Sequence, residues 1–131
     1  MDTRLLDALN TGIVLLNEDR IACWTNEAAR RITSMGMRQM ASAPFESWVA
    51  DGQAAELQDS LSHCIHSGHS FTFRELILVR DDVTTTTDAS FSRLQDAVGE
   101  GRVLIELSEV DQLLKITRDN RILSDEAGFR K

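Results

Sequence analysis

A chain of 131 residues with 42% hydrophobic residues is long enough for one domain with a single ordinary core and too apolar for disorder. Its net charge of -7 argues against a phosphate-binding surface. The one basic cluster, Arg30 and Arg31 with Arg38 nearby, reads as a solvated helix face, so nucleic acid is not an expected partner. No apolar run approaches the roughly 20 residues of a membrane span, and the opening MDTRLLDALN lacks a signal-peptide core. The chain is therefore expected in the cytoplasm, with no membrane partner.

Residues 1–11 hold a short helix, Asp2 to Asn10, with Leu5, Leu6 and Leu9 as its apolar stripe and Gly12 just past its end. So short a helix is marginal alone. Its stripe must pack either on its own sheet or on a second copy of the chain. Ile13 to Leu16 then read as a buried strand, and Asn17 to Arg20 as a polar turn. Ile21 to Thr25 form a second strand. Asn26 is a good N-cap, because its side-chain oxygen accepts from the first unpaired helix amides. Glu27 suits the positive end of the helix dipole. Ala28, Ala29, Ile32 and Met35 fall on one helical face, with Gly36 as the stop.

The next stretch, Arg38 to Ala50, contains the only proline, Pro44. It pushes Ala43 out of the helical region, and one helical turn follows, anchored by Phe45 and Trp48. Gln53 to Ser67 is a helix with Ala54, Leu57, Leu61, Cys64 and Ile65 at three- and four-residue spacing and Gly68 just past its end. His63, His66 and His69 cluster there. His63 and His66 share a helical face and are the candidate haem or metal ligands. The competing reading is a favourable charge near a helix C-terminus, and no further ligand accompanies them at metal spacing. No metal site is therefore assigned. Cys23 and Cys64 have no neighbouring cysteine at metal spacing, and a disulfide is disfavoured in a reducing compartment.

Three strands close the domain. Phe71 to Val79 puts Phe71, Phe73, Ile77 and Val79 on one face, interrupted by Glu75. After the Arg80-Asp81-Asp82 turn, Val83 to Leu94 alternates, with Val83, Thr85, Thr87, Ala89 and Phe91 facing one way. Gln95 to Gly101 reads as a polar loop, and Arg102 to Ser108 as the last strand, with Val103, Ile105 and Leu107 inward. Two strands, helices, then three strands make an α+β domain over residues 12–108, a five-stranded antiparallel sheet with helices on one face.

This order, with Ile13, Val14, Asp19, Ile21, Asn26, Ala28 and Ala29 at its start, resembles a PAS domain. Residues 109–131 read as an exit helix. Leu113, Ile116, Asn120, Leu123 and Ala127 step by three and four, a coiled-coil period in which a core Asn fixes register and favours two strands. An amphipathic helix folded back on the sheet is the alternative. The segments LLDALNTGIVLLNEDRIACWTNEAAR, SGHSFTFRELILV and RVLIELSEVDQLLKITRDNR resemble the N-terminal sensor domain of the nitrogen-regulation histidine kinase family, NtrB.

That resemblance implies a sensor and dimerisation module that passes signal through its exit helix toward a kinase region beyond it. The interface residues would be Leu5, Leu6, Leu9, Leu113, Ile116, Asn120 and Leu123. In the whole protein it implies the PII signal protein and a response regulator as partners. None of the histidines stands in an H-E-x-K-N-P phosphoacceptor context, and no glycine-rich nucleotide loop is present, so no enzyme activity is expected of this stretch itself. No cofactor is expected either: the cysteines lack the Asn-Cys-Arg context of flavin-binding PAS photosensors. The competing class is a ligand sensor holding haem or a small metabolite through His63, His66, Trp24 and Trp48. Bulky residues at most inward positions argue against so roomy a pocket.

Overall fold

A hairpin opens the domain. Strands β1 (Gly12–Leu16) and β2 (Ala22–Thr25) pair antiparallel. The turn between them is organised by Asn17, whose Oδ1 accepts from the amides of Asp19 at 2.8 Å and Ile21 at 3.0 Å. Ile21 thus belongs to the turn, and β2 starts one residue later than its sequence suggests. The computed structural model describes residues 10–110, without the side chains of residues 97 and 98. The expected N-terminal stripe (Leu5, Leu6, Leu9) and exit helix (Leu113, Ile116, Asn120, Leu123) lie outside the described residues.

Asn26 caps helix α1 (Glu27–Thr33) as expected, its Oδ1 accepting from the Ala29 amide at 2.9 Å. The same oxygen accepts from the Ile13 amide at 2.8 Å, and Nδ2 donates to the Thr11 carbonyl at 3.1 Å. One fully buried side chain therefore joins β1 to α1. The helix sits so close that a Cβ on Gly12 would lie 2.8 Å from the Ala29 Cα. α1 ends at Thr33 rather than Met35. The Thr33 hydroxyl donates to the Ala29 carbonyl at 2.8 Å and accepts from the Met35 amide at 3.2 Å, with Ser34 left-handed at φ 59°. Gly36, expected as a stop, instead begins helix α2 (Met37–Met40).

Phe45–Trp48 forms a 3-10 turn after Pro44. Helix α3 (Asp51–Ser67) starts two residues before Gln53 and buries Leu57, Leu61 and Cys64; Gly68 follows at φ 76°. The Arg20 Nε donates to both Glu46 carboxylate oxygens at 3.0 Å, fastening the β1–β2 turn to the 3-10 turn.

β3 (Phe71–Arg80), β4 (Val83–Val98) and β5 (Gly101–Glu109) complete an antiparallel sheet in the order β2-β1-β5-β4-β3. Thr25, Val14, Ile105, Phe91 and Phe71 stand opposite one another in turn across all five strands, on the face that the helices cover. Phe91 is fully buried, stacks on Phe71 at 4.3 Å and meets Phe45 edge-on at 5.8 Å.

Two strand expectations change. In β3 the inward phase switches at Glu75, so Leu76 and Leu78 are buried whereas Val79 is 38% exposed. The cause is a bulge: Phe73 pairs with Ala89 but Leu76 with Thr87, one residue too many on β3. An inserted residue reverses every later side chain. The expected loop 95–101 is mostly strand, since β4 runs to Val98 and a tight turn at Gly99, φ 59°, leads into β5. That end of the hairpin carries the exposed polar residues Gln95 and Asp96, so no apolar alternation announces it.

Replacing Asn26 with Ala removes three hydrogen bonds and leaves buried amides unpaired. The expected loss is about 2–4 kcal/mol in urea unfolding, and a loss below about 1 kcal/mol would show that the cap is not the join described.

Candidate functional site

The histidines are arranged differently from their sequence spacing. His63 stacks on His69, not His66, with ring centroids 4.9 Å apart and planes 9° from parallel. Together with Asp59, Ser60, Ser70 and Phe71 they line an open surface hollow of about 360 Å³. His66 is exposed on α3. Among the described residues no group of three or more His, Cys, Asp or Glu side chains is placed to hold a metal ion.

The four candidate ligand contacts do not meet. Trp48 is only 4% exposed and packs on Phe45 at 4.7 Å within the core. Trp24 points to the opposite face of the sheet, and His63 and His66 point to solvent from α3. Between sheet and helices the space is occupied by Phe45, Phe91, Met40, Leu57 and Leu61, all fully buried. The second surface hollow, about 130 Å³, lies between Thr33, Ser34 and the β3–β4 turn, where the Arg80 guanidinium donates to the Ser34 carbonyl.

The outer sheet face is divided in two. Trp24, Leu15 and Leu104 stand opposite one another on β2, β1 and β5, half-buried, on the side away from the helices. Farther across lie two polar rows, Glu106, Ser90 and Thr72 in one and Ser108 and Asp88 in the next, and past the β3 bulge the outward positions are Ile77 and Val79. The sequence reading missed this apolar strip. Its signal was the unbroken run Ile13 to Leu16 and the apolar Leu104 between Val103 and Ile105, since a strand apolar at consecutive positions is covered on both faces.

The start of β1 and the end of β5 meet beside this strip. Gly12 opens β1 opposite Leu107 of β5. Val110 follows, 8% exposed, its amide donating to the Thr86 carbonyl at 2.9 Å. The described chain therefore enters β1 and leaves β5 at the same end of the sheet.

No family model matches the chain. The PAS domain of nitrogen regulation protein NR(II) from Vibrio parahaemolyticus superposes with a TM-score of 0.64 over 82% of this chain and 96% of that one, at 16% identity. The PAS domain of an HTR-like protein from Haloarcula marismortui gives 0.67 over 82% and 88%, at 18% identity. The fold is that of a PAS domain. In sequence, this PAS domain resembles the sensory histidine kinase/phosphatase NtrB of Proteus hauseri, with 26% identity over 120 residues, 90% of this chain. The chain spans 32% of that relative's length. Among the described residues, no helix is long and apolar enough to cross a membrane.

Two thiols remain. Burial pushes both Cys23 and Cys64 above the usual thiol range; Glu100 adds to the rise at Cys23. A raised pKa leaves less thiolate at neutral pH. Cys23 is therefore expected to react with a disulfide reagent more slowly than a model thiol at pH 7, and buried Cys64 only as fast as the domain opens. Rapid labelling of both thiols in native buffer would contradict this.

Proposed function

We propose that this PAS domain is the sensor and dimerisation module of a two-component nitrogen-regulation histidine kinase, cytoplasmic and non-catalytic by itself. The observation that carries the reading is that β1 begins at Gly12 beside the end of β5, which Val110 follows. A bias in how residues 1–11 pack is thereby felt next to where residues 109–131 depart toward a kinase region. A signal of this kind needs two packed arrangements of one interface, each favoured by a different input.

The apolar strip supports the reading. Trp24, Leu15 and Leu104 span three strands, about 10 Å at the usual strand spacing, which is the width of one helix. A helix carrying Leu5, Leu6 and Leu9 matches that strip, and Leu113, Ile116, Asn120 and Leu123 would continue the pairing between two copies as a short coiled coil. The filled core supports a module that reads protein contacts rather than a haem or metabolite. In the whole protein the PII signal protein would act on the kinase portion, and a response regulator would receive the phosphoryl group.

Leu5→Glu combined with Leu9→Glu is expected to lower the dimer fraction in sedimentation at least tenfold while the core's unfolding midpoint stays within a few degrees, since a charge facing an apolar strip costs several kcal/mol. An unchanged dimer mass would refute the interface. In the source cell, deleting the coding segment for residues 12–108 is expected to change phosphorylation of the response regulator under nitrogen limitation, and an unaltered response would overturn the nitrogen-regulation reading.

A further inference from the structure

The β3 bulge is held from both sides by side chains. On its outer edge, Gln53 of α3 reaches across. Its Nε2 donates to the Glu75 carbonyl at 3.0 Å, and its Oε1 accepts from the Ile77 amide at 2.8 Å. A side-chain amide has the donor and acceptor of a peptide unit, so Gln53 pairs with this edge as a neighbouring strand would. The Ala50 amide donates to the Ile77 carbonyl at 2.9 Å and continues the pairing. On the inner edge, β4 supplies two more bonds. Asp88 Oδ1 accepts from the Glu75 amide at 2.9 Å, and the Thr87 hydroxyl donates to the Leu76 carbonyl at 3.0 Å. Glu75 itself sits at φ 54°, a left-handed conformation that a non-glycine residue keeps only where its surroundings impose it.

One strand farther lies the departure of the chain. Thr86, beside Thr87 and Asp88, accepts from the Val110 amide, and β4 is the only strand between β3 and β5. We propose that the bulge at Glu75, clasped by Gln53 and Asp88, is a coupling element that makes the hold on Val110 depend on the position of α3. Displacing the start of α3 withdraws the Gln53 amide. Glu75 is then released from its left-handed conformation, β3 gains the freedom to shift along β4, and the Thr86–Asp88 segment no longer presents a fixed carbonyl to Val110. This inference rests on the reading above that signal leaves through the residues after Val110. It adds the internal element that would set that signal.

Amide hydrogen exchange on the purified chain tests it. Gln53→Ala and Asp88→Ala are each expected to lower protection at Val110 by about threefold or more, as for coupled positions in other proteins. The β1 amides should be unchanged, and the two substitutions together should give less than the product of the separate effects. Gln53→Glu removes only the donor to Glu75 and keeps the acceptor for Ile77. This milder variant must still move Val110 in the same direction. Loss of protection at Glu75 and Ile77 with Val110 unaltered would overturn the proposal. So would a parallel loss at every sheet amide in both Gln53 variants, which would make Gln53 a support of the whole domain. Sedimentation of the leucine variants reports on the dimer alone, so failure of one reading is distinguishable from failure of the other.

Discussion

A single buried amide, that of Asn26, decides how this domain is put together. Helix α1 follows β2 without a spacer, so its first amides face the interior and need partners that water cannot supply. Asn26 provides one acceptor for α1 and uses the same oxygen for the start of β1. Its backbone amide also donates to the Ile13 carbonyl at 3.0 Å. The close packing of Ala29 on Gly12 then follows, because a helix fastened this near a strand leaves no room for a Cβ. β1 is an interior strand of the sheet, flanked by β2 and β5. What fixes its first residues therefore fixes how α1 and the end of β5 sit beside them.

The two faces of the sheet have separate tasks. Inside, Phe45 packs on Trp48 and Phe91 between the sheet and the helices. Outside, the apolar strip on β2, β1 and β5 is bounded by polar rows across β5, β4 and β3, and Ile77 and Val79 lie beyond those rows at the β3 edge. A uniformly apolar outer face would invite unspecific association. A strip one helix wide, bounded by polar rows, limits what can lie there. The opposite edge of the sheet is protected as well: Val49 bridges to Leu78, and Gln53 occupies part of the β3 backbone. Unpaired strand edges are otherwise templates for aggregation.

Most of the architecture was legible in the residues, because local rules and the global fold agree there. The Asn26 cap, the Gly68 end of α3, the Phe45 and Trp48 anchors and the inward Val103, Ile105 and Leu107 all follow from spacing and side-chain chemistry. Disagreements arise where a backbone bond decides. Glu75 interrupts the alternation of FTFRELILV, but that charge does not by itself identify it as an inserted residue. Its effect depends on Asp88, thirteen positions on, and on Gln53, twenty-two positions back. Likewise, His63 and His66 are neighbours by helical spacing, but the turn at Gly68 brings His69 onto His63 instead. Linear spacing describes contacts within an element; contacts between elements depend on how the chain returns.

The adjacency of Gly12 and Leu107 has an evolutionary consequence. Partners in neighbouring antiparallel strands have Cα atoms about 5 Å apart, so the domain occupies hardly more of a host chain's path than a short loop. Such a unit is suited to insertion into an existing protein, or to repetition in tandem, without pulling the flanking parts away from each other. Its inserted form would also keep the two flanking segments side by side from the outset. The same geometry would let one compact module be reused between many different upstream and downstream regions.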